Sequence, residues 1–418
     1  MMRKYILTTV LAMLAAPSLW AQVNTADDEN NDDEITVTDQ KGREEVIEFP
    51  EAMTYDLDSL LNLYMSKNYL DADDCNMRDI NPAYTTEEYI SRLSRIPAIM
   101  EMVHNEVVQK FIDRYSGRLR HSISYMLGAS NFYMPIFEEA LEAYQLPLEL
   151  KYLPIIESAL NPKAISRVGA TGLWQFMLTT GKQYGLEVNS LVDERRDPVK
   201  SSYAAANYLS TLYKIFGDWN LVIAAYNCGP ENINKAIHRA GGEKDYWQIY
   251  PYLPKETRGY VPAFIAANYI MTYYSMHNIC PMTTRLPAKT DTVMVNRDVH
   301  LEQVAAVLDI NIELLRSMNP MYRRDIIPGA TKPMPLRLSV TDTGRFIDME
   351  DSVYNYKVDE LLNKRSQVDI KDDVPTYYHK SKRYSKGKRY SKRRSSRYSR
   401  RYKSSSRRRS AAKRRRRR

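Results

Sequence analysis

The stretch "LPIIESALNPKAISRVGATGLWQF", residues 153–176, sets one carboxylate, Glu157, inside an otherwise apolar run. An unpaired charge among apolar side chains is so costly that such a group pairs, stays neutral or belongs to a site that uses it. Leu153, Ile156 and Leu160 fall on one helical face, which places Glu157 beside that face near a helix end marked by Asn161-Pro162. The plain reading is a cap or a salt bridge, with Arg167 as partner. The residues that follow favour a site. "GATGLWQFM" offers Gly169 and Gly172, which let backbone approach a ligand closely, then Trp174 and Gln175 at an expected helix start. "AAYNCGP" ends an apolar helix with Tyr226 and Asn227 just where Gly229-Pro230 turns the chain, and "ETRGYVPAF" supplies Tyr260 just ahead of another helix. One carboxylic acid among Gln, Asn and two Tyr hydroxyls is a set of neutral hydrogen-bonding partners, and that set suits a sugar.

Outward from this stretch, residues 98 to about 275 are helical in period almost throughout. "HNEVVQKFIDRYS", "FYMPIFEEALEAY", "SSYAAANYLSTLYKIF" and "NLVIAAYN" repeat apolar residues three or four apart, with Pro and Gly between them. No alternating strand is evident there, so residues 98–280 read as a compact all-α domain in a mainly α protein. Ahead of it, residues 51–97 read as a helical segment, with one pattern through Leu57, Leu60, Leu61 and Tyr64 and another through "TTEEYISRLSRI". Asp71, Asp73 and Asp74 lack the loop-plus-Glu pattern of a calcium hand and read as a solvated loop. Residues 22–50, polar and acidic, read as a disordered linker. Residues 1–21 carry two basic residues, an apolar run and small residues before Gln22, the pattern of a secretory signal peptide that implies export.

Among 418 residues there are 32 Tyr against 8 Phe and 4 Trp, and tyrosine presents a flat apolar face with a hydroxyl, as a groove for polar rings requires. The three cysteines, Cys75, Cys228 and Cys280, show no metal-ligand spacing, and their odd number leaves at least one free thiol. Residues 379–418 hold 22 of the 60 Lys and Arg and no acid, so the remainder is acidic with a net charge of −13. Residues 376–418, with "RYSK" at 383 and 389, cannot bury a core and read as a basic disordered tail after a linker at 341–375. Clustered Arg with interleaved Tyr can grip nucleic acid, but in an exported protein the tail better suits anionic lipid headgroups or acidic envelope polymers. Residues 291–340 change pattern: "TVMV", "LEQVAAVLDI", "IELLRSMNP" and "PMPLRLSV" suggest a strand, helix, helix, strand unit forming a small separate module.

Taken together and in this order, Glu157-Ser158, Gly172-Leu173-Trp174-Gln175, Ala225-Tyr226-Asn227 and Tyr260 resemble the soluble-type lytic murein transglycosylase family, in particular its D subgroup, where Trp follows Gly-Leu. The resemblance covers about residues 98–275. It implies a lysozyme-like all-α catalytic domain, peptidoglycan as substrate, a monomer in the periplasm or cell envelope, and no cofactor. It further implies Glu157 as catalytic acid and base, Ser158 in support of it or of the substrate, and Gln175, Tyr226, Asn227 and Tyr260 along the sugar groove. Cys228 stands where a small residue is usual and reads as packed. Residues 291–340 resemble a degenerate LysM-like peptidoglycan-binding module, through Asn319-Pro320 and Ile327-Pro328-Gly329, although "RDVHL" replaces the usual Gly-Asp-Thr-Leu start.

The chemistry stands beside the resemblance. A glycosidic leaving oxygen needs a proton, and a Glu among apolar groups keeps one near neutral pH. Most glycosidases add a second carboxylate. The nearest candidates, Asp193, Glu194 and Asp197, sit where Asp197-Pro198 reads as a helix N-cap. Without one, the 6-hydroxyl of N-acetylmuramic acid can attack its own anomeric carbon and leave a 1,6-anhydro sugar. A hydrolytic muramidase and a non-catalytic wall-binding scaffold stay open as alternatives.

Overall fold

The computed structural model describes residues 34–38, 44–54, 68–69 and 80–362. The leader, the helical pattern at 57–64, the acidic loop at 71–74 and the basic tail lie outside the described residues. Two strands, β1 (Glu34–Thr38) and β2 (Glu44–Glu48), form an antiparallel hairpin that a 3-10 turn at Glu51–Thr54 follows. For residues 34–38 and 44–50 this corrects the reading of a disordered linker over 22–50, of which the remainder lies outside the described residues. "ITV" and "IEF" alternate apolar and polar residues, and Ile35, Val37, Ile47 and Phe49 bury one common face that the acidic composition conceals.

After β3 (Asn68–Tyr69) come the helices α1 (Thr86–Leu93), α2 (Glu106–Ser116), α3 (Arg120–Ala143), α4 (Leu153–Ser158) and α5 (Leu178–Gln183). They are followed by α6 (Pro198–Phe216), α7 (Trp219–Cys228), α8 (Pro230–Arg239), α9 (Tyr246–Ile249) and α10 (Lys255–Tyr273), and then by β4 (Met282–Thr283), which pairs with β3. The protein is mainly α, as the periodicity predicts. Asn105, Asp197 and Asp218 each accept from a first-turn amide, which fixes the starts of α2, α6 and α7. The mainly buried α10 packs on α2, α7, α4 and β2, so it is the spine of this unit. The hairpin is seated on it through the Arg258–Glu45 ion pair and through Gly259, where a Cβ would stand 2.6 Å from the Glu48 carbonyl oxygen. Cys280 is disulfide-bonded and Cys228 is free. Among the described residues no helix is long and apolar enough to cross a membrane.

The C-terminal unit runs β5 (Thr290–Val295), β6 (Asp298–His300), α11 (Leu301–Leu308), α12 (Ile312–Met318), β7 (Ile326–Pro328) and β8 (Met334–Ser339). β5 pairs with β8 and β6 with β7, both antiparallel. The chain then continues as α13 (Val340–Asp348), α14 (Glu350–Asn355) and α15 (Val358–Leu361), not as the linker expected from 341. Phe346, Val353 and Tyr354 are buried, and sparse apolar residues at helical spacing suffice for this because α11 supplies the facing surface.

This unit is also not separate. Val192 and Tyr322 form an antiparallel bridge, Asp193 N donates to the Met321 carbonyl at 2.9 Å, and Arg323 N donates to the Leu191 carbonyl at 2.8 Å. Buried Arg337 lies 3.7 Å from buried Asp197, the cap of α6.

Candidate active site

Helix α4 is one and a half turns long and ends abruptly. Ala159 (φ 50°) and Leu160 (φ 59°) are both left-handed, and their amides reach back to the Ile155 and Pro154 carbonyls at 3.2 Å. For side chains other than glycine that conformation costs ~1–2 kcal/mol each, and the surrounding core holds it. The helix therefore stops before Asn161, one turn earlier than the Asn-Pro signal implies, and leaves Glu157 in its last turn. Ser158 is buried and donates to the Pro154 carbonyl at 3.1 Å and to the Leu173 carbonyl at 2.9 Å. It ties the acid's helix to the glycine turn and does not line the cavity, so of its two expected roles only support fits.

The turn itself rests on Gly172. With φ at 89°, and a Cβ that would fall 1.9 Å from the Arg195 carbonyl oxygen, no other residue fits there unchanged. Bridges Ile165–Thr171 and Thr171–Phe176 close the loop, and the Arg195 guanidinium donates to the Phe176 carbonyl at 3.2 Å and to the Gly169 carbonyl at 3.3 Å. Gln175 is not at a helix start: it sits at φ 47°, and the next helix begins at Leu178. Trp174 is fully buried and donates to Ser202 Oγ at 2.8 Å, which accounts for the tryptophan as an anchor of this turn.

These elements enclose a cavity of about 350 Å³ that Glu157, Gln175, Tyr226, Asn227 and Tyr260 all line. Tyr260 is one full turn inside α10, not ahead of it, and its hydroxyl donates to Glu157 Oε1. The Tyr226 hydroxyl donates to the Trp174 carbonyl at 2.8 Å, so that ring is held in place and presents its flank. Gln175 Nε2 donates to the Gly172 carbonyl at 2.8 Å, and Asn227 Oδ1 accepts from Thr257 at 2.8 Å. Among the described residues, the Gln175 amide oxygen and the Asn227 amide nitrogen have no partner, one acceptor and one donor for a ligand.

Burial is the dominant influence on Glu157 and pushes its carboxyl up to about 8, against the Tyr260 hydrogen bond, with Glu256 adding a smaller upward push. Arg167 is no partner of Glu157, since it pairs with Glu51 at 3.8 Å. The three neighbouring carboxylates are occupied. Asp193 pairs with Arg195 at 2.9 Å, Glu194 pairs with Lys200, and Asp197 accepts from Val199 N at 2.9 Å as the expected cap.

Sequence reasoning missed several lining residues. Glu256 sits at the rim one helical turn before Tyr260, its carboxyl raised by partial removal from water and by Glu48 and Glu51. The i, i+4 spacing to Tyr260 is the signal that was available. Pro50 and Glu51 reach the cavity from the unforeseen hairpin segment, and Tyr208 from α6. Cys228 faces the cavity as well as packing, and its Sγ lies 3.7 Å from the Gly229 carbonyl.

Residues 134–249 match the transglycosylase SLT domain, and residues 289–355 match the LysM-like domain of lytic transglycosylase MltD. The chain is 36% identical over 192 residues to membrane-bound lytic murein transglycosylase D of Escherichia coli K12, which covers 45% of this chain and 42% of that protein. It is 33% identical over 124 residues to the soluble lytic murein transglycosylase of the same strain, 28% of this chain and 19% of that one. The crystal structure of the 70 kDa soluble lytic transglycosylase from Escherichia coli is similar over 52% of this chain and 43% of its own, at 20% identity and a TM-score of 0.32. The chain thus spans less than half the length of these relatives. Within this chain, residues 134–249 are similar to a transglycosylase SLT domain and residues 289–355 to the LysM-like domain of lytic transglycosylase MltD.

Proposed function

We infer that the protein is an exported lytic transglycosylase that cleaves the β-1,4 bond between N-acetylmuramic acid and N-acetylglucosamine in peptidoglycan. The observation that carries this is Glu157, a carboxyl kept protonated near neutral pH by burial and held by Tyr260 in a cavity with amide groups free for sugar. Glu157 gives its proton to the leaving oxygen as the bond from the anomeric carbon breaks. The 6-hydroxyl of the same muramic acid then bonds to that carbon and returns its proton to Glu157. No water is consumed, and the product ends in 1,6-anhydro-N-acetylmuramic acid. The matches to lytic transglycosylase domains support this reading, as does the engagement of Asp193, Glu194 and Asp197 elsewhere.

One observation favours a hydrolytic alternative: Glu256 shares the cavity and is a second carboxylate able to activate water. Mass spectrometry of peptidoglycan digests separates the two. Anhydro ends are expected, and reducing ends one water heavier would assign hydrolysis and give Glu256 the role of base.

A further inference from the structure

The seam where the C-terminal unit meets the helical one carries more positive charge than its acids balance. Arg316 of α12 forks onto Asp325, with Nη2 donating to Oδ2 at 2.6 Å, and also donates to Glu313. Both oxygens of Asp193 accept from Arg195 at 2.9 Å. Each of these acids has its cation, and Lys163, Arg196 and Arg323 are added to them. Lys163, on the loop after α4, lies near Glu313, Arg316, Asp325 and Arg196, yet among the described residues its ammonium makes no hydrogen bond or close ion pair. Arg196 approaches Asp193 only to 3.9 Å, and its Nε is buried with no hydrogen-bond partner. Arg323 stands near Arg196, exposed, with one donor on the Asn189 carbonyl at 3.2 Å and the rest of its fork to spare.

This surplus opposes folding. Burial lowers both Lys163 and Arg196 from their ordinary values, and neighbouring guanidinium groups lower them further, Arg316 and Arg196 acting on Lys163, Arg323 and Arg195 on Arg196. Half-buried cations held together in this way call for an anion between them. A guanidinium fork beside an ammonium suits a carboxylate, which accepts two parallel bonds from the first and a third from the second. The seam also adjoins the catalytic cavity along the chain. Lys163 precedes Ala164, whose carbonyl accepts from Gly172 N at 3.0 Å and from Gln175 Nε2 at 3.4 Å, and Arg196 follows Arg195, which holds the Gly169 and Phe176 carbonyls.

We propose that Lys163 and Arg196, with Arg323 at the rim, form a carboxylate site that takes the stem peptide of a muramic acid seated in the Glu157 cavity. The proposal rests on the reading of peptidoglycan as substrate. Each muramic acid bears a peptide on its lactyl group, and four extended residues reach roughly 13–14 Å and end in a carboxylate. The site gives preference to strands that carry peptides over bare glycan, and it makes the C-terminal unit, through Arg323 and α12, part of substrate recognition.

The test uses the full chain carrying Glu157→Gln, so that bound glycan is not consumed, and titrates two sets of soluble glycan fragments of equal length, one bearing tetrapeptide stems and one stripped of them. The parent is expected to bind the peptide-bearing set more tightly, and the difference should shrink with added salt. Lys163→Met and Arg196→Met are each expected to weaken binding of that set about tenfold, ~1.4 kcal/mol, and to leave bare glycan unchanged. Since each removes a cation that the fold leaves unpaired, Tm should hold or rise, and circular dichroism establishes that both are folded. If the variants bind both sets in the parent's ratio, the carboxylate site is overturned while the catalytic cavity stands; a lowered Tm with both sets weakened alike overturns it too, and makes the two residues structural. A peptide preference that survives, with binding to phosphatidylglycerol vesicles lost instead, would assign the cations to phosphate and overturn the proposal. Binding of neither set by the parent would overturn the glycan reading and this site together.

Discussion

Two influences compete for the Glu157 proton: burial holds it on, and the Tyr260 hydroxyl, whose bond to an ionised carboxylate is the stronger one, draws it off. Burial wins, so the acid is charged only as pH rises through about 8, and turnover is expected to fall on that limb rather than near 4.5. A pH profile of initial rates on soluble fragments checks this. Tyr260→Phe removes the opposing influence and should move the limb upward. Glu157→Gln retains the acceptor for Tyr260 but has no proton to give, so activity should drop ~10²–10⁴-fold. Its stability carries the opposite sign. A carboxyl raised in the folded chain favours folding fully below its ordinary value and loses that contribution as pH rises towards about 8. The glutamine variant has no such loss, so its Tm should overtake that of the parent at mildly alkaline pH. A Tm for the glutamine variant below the parent's across this window would make Glu157 a structural group.

Helix ends and turns, more than helix interiors, decide this site, and that is where the sequence was hardest to read. The motifs around Glu157, Tyr226 and Asn227 were legible because their spacing follows the helical period, and Asp197-Pro198 because a cap has its own chemistry. The left-handed Ala159, Leu160 and Gln175 were not, since no local propensity favours that backbone and only packing imposes it. The β1–β2 hairpin escaped notice because its apolar face is three or four residues deep in an acidic stretch. Gly172 joins these levels: Gly172→Ala must push against the Arg195 carbonyl and should lower both Tm and turnover, with a larger effect than Gly169→Ala, whose Cβ meets nothing within 4 Å. At the far end of α10, His277 Nδ1 donates to Asn81 Oδ1 at 3.1 Å, its Nε2 pairs with the Tyr269 hydroxyl at 3.0 Å, and the ring lies near Arg92 and Arg120. Burial first, then these two cations, lower it to about 4. The unfolded chain takes up that proton near the ordinary value of 6.5, so stability should decline as pH falls from about 6.5 to about 4. Thermal melts should show a shallower decline for His277→Phe, from a lower starting Tm because Tyr269 and Asn81 lose their partner.

Across the described residues, the LysM-like unit is linked to the Gly172 turn through a short series of contacts. Its Met321 and Arg323 backbones extend residues 191–193, Asp193 orients Arg195, and Arg195 holds the Gly169 and Phe176 carbonyls while its own carbonyl faces Gly172. Arg337 on β8 closes the same circuit at Asp197 and also donates to the Met318 carbonyl at 3.2 Å. A module that served only to grip the wall would need no such path, and its loss would be felt on sacculi alone. Arg337→Met keeps the length of the side chain and removes its charge, leaving Asp197 with the α6 amides as its remaining partners. Removing one member of a buried ion pair costs roughly 3–5 kcal/mol, and the surviving cap bonds put this case at the lower end. The variant should melt at lower temperature and, measured per folded molecule, turn over small soluble fragments more slowly, with Arg337→Lys recovering part of both. Unchanged turnover of soluble fragments, with weaker binding to sacculi as the only defect, would show instead that the domain acts as a tether and that the contacts at 191–197 do not reach Glu157.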